Sequence, residues 1–203
     1  MFFSDRASIP DTDPGVFTIG EDRSSTYPTL SGAFEDLRFN RLSSPIVLRL
    51  VSDITDTGVS LNHPDGNLIT IEGDNHTVTL SSCVLSEGNC LKSIEKVTII
   101  GEMLLTECSK IVSLKSVDAT RITVEDGSRI ASMTGCKSED LRVANGSFVR
   151  SRELSSKDVM VESGSTLIAT DSKDIGETRA DASSHALFES PPKRASGRES
   201  PRS

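Results

Sequence analysis

Ile122-Thr123-Val124-Glu125-Asp126-Gly127-Ser128, Leu141-Arg142-Val143-Ala144-Asn145-Gly146-Ser147 and Val159-Met160-Val161-Glu162-Ser163-Gly164-Ser165 are three copies of one phrase. Each opens on apolar-x-apolar, bends at a glycine, where backbone freedom is greatest, and ends on serine. The same opening stands twice upstream, as Ile69-Thr70-Ile71 and Val97-Thr98-Ile99. The five copies are centred on Thr70, Thr98, Thr123, Arg142 and Met160, so the interval between them shortens along the chain.

Each late turn is followed by a second apolar pair: Ile130 with Ala131, Phe148 with Val149, Leu167 with Ile168. A unit with two or three such short strands buries its apolar side chains only against its neighbours. Strand positions alternate apolar with Thr, Arg or Met, the pattern of one packed face and one wet face. The expectation is a parallel β-solenoid whose coils shrink from about 28 to about 18 residues, a usual size for such repeats. Its inward residues are Ile69, Ile71, Val97, Ile99, Ile122, Val124, Leu141, Val143, Val159 and Val161. An antiparallel sandwich is the alternative, but its longer strands and hairpin dipeptides do not suit three aligned Gly-Ser turns.

The rest of the chain reads as caps and tails on this stretch. Residues 1–16, with Pro10, Pro14 and Gly15, form an N-terminal arm. A capping helix is expected over about residues 29–39, with Thr29 as N-cap and Leu30, Ala33, Phe34 and Leu37 as its apolar stripe. Coils then fill about 46–175 of a β-domain spanning 17–190. His63-Pro64-Asp65-Gly66 reads as a turn leading into the first full coil. Residues 191–203 are a Pro- and Ser-rich tail carrying Lys193, Arg194, Arg198 and Arg202 against Glu199 alone.

Composition agrees with thin coils. Of 203 residues only 4% are aromatic, with no Trp and one Tyr. The net charge of −8 excludes a broad electrostatic footprint for nucleic acid. Cys83, Cys90, Cys108 and Cys136 show no zinc spacing and read as small core residues. There is no secretory apolar region and no apolar run long enough to span a bilayer, so no membrane partner is expected. No cofactor or metal is expected either: the Gly-Gly-x-Gly-x-Asp calcium repeat is absent, and His63, His76 and His185 are scattered.

Phe17-Thr18-Ile19-Gly20, Tyr27-Pro28-Thr29-Leu30 with Ala33 and Leu37, His63-Pro64-Asp65-Gly66, and Ile69-Thr70-Ile71-Glu72-Gly73 occur in that order. Together they resemble the N-terminal module of the pectate-lyase-like β-helices of bacteriophage tail fibres, tailspikes and minor tail proteins, over roughly residues 17–100. The family often has Asp-Gly-x-Tyr ahead of the His-Pro-Asp-Gly element, where this chain has Asp53-Ile54-Thr55-Asp56-Thr57-Gly58. The resemblance implies an all-β fold, a right-handed parallel β-helix with one N-terminal capping helix, and homotrimeric association.

One arrangement has a catalytic reading. Asp140, Asp158 and Asp174 are expected to stack as an acidic ladder at one corner of successive coils, near the carboxylate spacing of retaining glycosidases. Asp also favours corners because it accepts backbone N–H bonds, and that reading needs no chemistry. The expected function is therefore a non-enzymatic structural protein of the virion, made in the bacterial host cytoplasm. It is a short trimeric spike or small tail fibre that meets other capsid or tail proteins through its termini. A polysaccharide depolymerase of the same fold and a module binding a host-surface glycan are the alternatives.

Overall fold

The computed structural model describes residues 15–189. The chain is an all-β parallel β-helix of about eight turns with, among the described residues, a single α-helix, α1 (Leu30–Leu37). Strands β1 (Val16–Ile19), β2 (Ile46–Leu50), β3 (Ile54–Thr55), β4 (Val59–Ser60) and β5 (Ile69–Glu72) build its first turns. The long strands β6 (Thr77–Leu85), β7 (Cys90–Leu105) and β8 (Lys110–Val124) bend around corners. Shorter strands follow: β9 (Arg129–Thr134), β10 (Lys137–Val143), β11 (Phe148–Arg152), β12 (Ser155–Val161), β13 (Thr166–Thr170), β14 (Ile175–Ala180) and β15 (His185–Glu189).

Every strand pairing is parallel, and the pairings sort into three faces. The first runs through β1, β2, β5, the starts of β7 and β8, then β9, β11, β13 and β15. On the second, Ile54 stacks with Val78, Ile99, Ala119, Ser138, Ser156 and Ile175. On the third, Val59 stacks with Cys83, Met103, Ile122, Leu141, Val159 and Thr178. Alternation along each segment turns one side chain inward and the next to solvent. The ten expected inward residues are all buried, Ile69, Ile122, Val124, Val143 and Val161 completely so.

The five apolar-x-apolar copies do not share one face. Ile69-Thr70-Ile71 lies on the first and Val97-Thr98-Ile99 on the second. Only the last three stack, Thr123 beside Arg142 beside Met160. The shortening interval between copies therefore mixes turn length with steps between faces. On the first face the register climbs from Ile46 to Ile69 and from Thr70 to Ser93, then from Arg129 to Phe148 and from Phe148 to Thr166. A turn thus shortens from about 23 to about 19 residues and keeps that length to the end of the stack. Any face of a solenoid is served by two inward apolar residues, so the phrase marks strands without saying which face they build.

The corner joining the third face to the first explains the recurring glycines. Asp126-Gly127, Asn145-Gly146 and Ser163-Gly164 all have positive φ at both residues, the conformation of a type I′ turn. Glu107-Cys108 and Glu87-Gly88 take the same shape in the two turns before them. Successive turns interlock through Gly127 N–H to the Asn145 carbonyl and Gly146 N–H to the Ser163 carbonyl, each 2.9 Å. Cys108 thus sits exposed at φ 60°, and Cys90 is partly exposed, whereas Cys83 and Cys136 are buried as small core residues should be. Burial pushes the Cys83 thiol up to about 12 and that of Cys136 up to about 11.

Helix α1 lies inside the first turn and not ahead of the coils, because β1 already pairs with β2 in register Val16 to Val47. Thr29 caps it, accepting the Gly32 N–H at 3.1 Å, and Leu30, Ala33, Phe34 and Leu37 are buried against the first coil. The departing stretch Asp53–Gly58 supplies a second N-terminal anchor: the buried Asp56 carboxylate accepts the N–H and the hydroxyl of Ser31, both at 2.9 Å. At the other end of the solenoid, β14 and β15 lie mostly exposed, with Leu187 50% and Phe188 36% accessible. The coils thus extend to Glu189, beyond the expected limit at residue 175.

Candidate functional site

A groove of about 740 Å³ runs along the outside of the third face. Strand alternation builds it as parallel rows. The first row is Glu102, Arg121, Asp140, Asp158 and Glu177; the second is Leu104, Thr123, Arg142, Met160 and Arg179. Glu125 and Glu162 follow beside the turn corner.

Asp140 and Asp158 are nearest neighbours in the expected ladder, but Asp174 is not its third member. The residue paired with Asp158 is Glu177, while Asp174 adopts φ 50° immediately before β14. Glu177 stands one full turn after Asp158, and Asp174 comes too early in the chain to complete that turn. The ladder also begins earlier than expected, since Glu102 and Arg121 occupy the steps below Asp140. No short motif announces these two, because they are joined only by turn length.

The groove is held by alternating charge. Arg121 Nη2 donates to Asp140 Oδ2 at 3.0 Å, Arg142 Nη2 to Glu162 Oε1 at 2.5 Å, and Arg179 Nε to Glu177 Oε1 at 2.8 Å. Thr123 Oγ1 donates to Glu102 Oε1 at 2.9 Å. These contacts raise the basicity of Arg142 and Arg179, chiefly through the hydrogen bonds to Glu162 and Glu177. Asp158 has no ion-pair partner among the described residues. Lys157 does not reach it but bonds Glu139 at 2.6 Å, and Lys137 lies 3.7 Å from Asp118.

The expected turn residues form a different device. His63 is buried, and its Nε2–H is shared between the carbonyl oxygens of Leu37, 3.1 Å away, and Asn40, 3.0 Å away. Its Nδ1 accepts the Asp65 N–H at 3.0 Å, which sets the tautomer. Asp65 in turn takes both Arg41 Nε and Nη2 at 2.8 Å and the Leu42 N–H at 3.0 Å. That fork holds the Asp65 carboxyl below the usual range. Gly66 follows, where a Cβ would meet the Cys90 carbonyl oxygen at 2.4 Å. Pro64 leads the chain between these contacts, so His63-Pro64-Asp65-Gly66 clamps the end of α1 onto the first coil.

No group of three or more His, Cys, Asp or Glu side chains among the described residues is placed to hold a metal ion. No helix among them is long and apolar enough to cross a membrane. The tail cations Lys193, Arg194, Arg198 and Arg202, and residues 1–14 of the expected arm, lie outside the described residues. Comparison with protein families, with curated proteins and with solved structures finds no match to this chain.

Proposed function

We propose that the chain is a non-enzymatic structural protein of a bacteriophage virion, a short trimeric β-helix displayed as a capsid-decorating spike or small tail fibre. The observation that carries this reading is the ion-pair lattice across the third face, where Arg121, Arg142 and Arg179 each hold a carboxylate of the groove. Such a lattice stiffens a surface by tying Asp140, Glu162 and Glu177 to guanidinium groups. The sequence resemblance of residues 17–100, whose His-Pro-Asp-Gly turn clamps α1, supplies the virion context.

In this reading the termini attach the protein to the particle and the β-helix is presented outward. The test is immunogold labelling of purified virions, beside sedimentation of the isolated protein and incubation with host capsular polysaccharide. Labelled particles, a trimer at micromolar concentration and an unchanged polysaccharide are expected. Oligosaccharide release by the parent protein would overturn the structural reading in favour of a depolymerase. Tight binding without release would favour a glycan-holding module.

A further inference from the structure

The outer side of the first face differs in charge from the rest of this acidic chain. From Cys90 to Glu189 it presents Lys92, Lys110, Lys115, Arg129, Arg150 and Arg152, all exposed, against Glu95 and Glu189. Lys115 bonds Glu95 at 3.0 Å and Arg152 bonds Asp171 at 3.3 Å, while Arg129 lies over the Phe148 ring at 4.9 Å. Lys92, Lys110 and Arg150 have no ion pair among the described residues.

The third face is the complement. Over the same turns its groove holds five carboxylates, Glu102, Glu125, Asp140, Asp158 and Glu177, with Glu162 beside them on Arg142, against three arginines. Its carboxylates without an ion pair among the described residues are Glu102 and Asp158. The two faces also match along their middle rows, where exposed Val112 and Leu187 on the first correspond to exposed Met160 on the third. Axial position agrees too: β11, which carries Arg150, follows β10 and precedes β12 along the chain, so Arg150 stands between the levels of Asp140 and Asp158.

We propose that copies of this chain pack side by side, the basic first face of one against the acidic third face of the next, with Arg150 meeting Asp158. The contact joins two different patches, so it is heterologous, and a closed ring follows when every copy uses both. This rests on the trimeric reading above and adds the surfaces that make it. Both faces flank the corner of type I′ turns, which brings the small residues Gly127, Gly146 and Gly164 to the inside of the ring. Unpaired opposite charges across such a contact set register and partner choice, and reversing one disfavours association.

The experiment is sedimentation of the parent protein and three variants in about 0.1 M salt, where surface charges still act over about 10 Å. Lys110→Glu with Arg150→Glu reverses the first face; Glu102→Arg with Asp158→Arg reverses the third. The third variant combines all four changes. Lys110, Arg150 and Asp158 are exposed and Glu102 is half-buried, and circular dichroism checks that each variant folds. Each single-face reversal is expected to raise the concentration for half-assembly at least about tenfold, and the combined variant is expected to recover most of that loss. Reversals that leave a parent trimer intact overturn the proposed faces while the trimer stands. A parent protein that stays monomeric overturns the trimeric reading together with this one. Assembly unchanged by the first-face reversal, with loss of retention on a sulfated-polysaccharide column, assigns the basic face to an anionic polymer and also overturns the proposal.

Discussion

The Nε2–H of His63 reaches the Leu37 carbonyl oxygen at 3.1 Å, tying a turn of the first coil to the end of a helix 26 residues earlier. Helix ends leave carbonyl oxygens without intrahelical partners, and here a buried imidazole donates beside the Asn40 N–H, which reaches the same oxygen at 2.8 Å. His63→Ala removes a donor shared by the Leu37 and Asn40 carbonyls and leaves the Asp65 N–H without its acceptor, so the expected loss is about 1–3 kcal/mol. Calorimetry measures it. Hydrogen exchange is expected to quicken over residues 30–42 while strands from Cys90 onward keep their protection. Equal acceleration everywhere would show that the cap and the coils unfold as one unit.

At the second position of the stacked type I′ turns one residue departs from glycine. Cys108 holds φ 60° where Gly88, Gly127, Gly146 and Gly164 stand in neighbouring turns. A left-handed conformation is costly for a side chain with a Cβ and free for glycine. Cys108→Gly is expected to stabilise the protein by about 0.5–1 kcal/mol, discounted for the greater flexibility of glycine in the unfolded chain. A lowered denaturation midpoint would mean that contacts of the thiol outweigh the backbone strain.

Val143 is fully buried between Val124 and Val161 on the third face. Val143→Asp places a charge there with no partner, and a loss above about 4 kcal/mol is expected. Expression should yield aggregated or unfolded protein. A soluble variant melting within a few degrees of the parent would refute the register of the third face.

Acid stability follows from carboxylates whose folded environments favour the ionised form. Arg41 depresses Asp65, Asn145 and Thr106 depress Asp126, and the Ser184 hydroxyl with the Ser163 N–H and the Ser183 hydroxyl takes Asp181 down to about 2. A depressed folded pKa contributes stability above the unfolded value, here 3.8, and loses it as pH falls through the folded value. The thermal midpoint should therefore be level above about pH 5 and fall between about pH 4 and pH 2. Asp181→Asn is expected to flatten the lower part of that fall. An identical slope in the variant would place the acid sensitivity in other groups.

Much of this protein was legible residue by residue. The glycine turns, the inward valines and isoleucines, and the Thr29-capped stripe of Leu30, Ala33, Phe34 and Leu37 obey rules that act within a few positions: steric freedom, alternation and helical period. Those rules suffice to call for a solenoid with a cap. They do not say which coil residues lie above one another, because stacking depends on turn length, and one residue more or less in a corner shifts every later neighbour. That is why Ile69-Thr70-Ile71 and Val97-Thr98-Ile99 proved to belong to different faces, and why Glu177 displaced Asp174 from the ladder. The pairing of Arg121 with Asp140 across a whole turn, and the gathering of Lys110 and Arg150 on one face opposite in charge to another, were decided only by tertiary structure. Charge carries no period of its own along the chain; the winding of the backbone collects it.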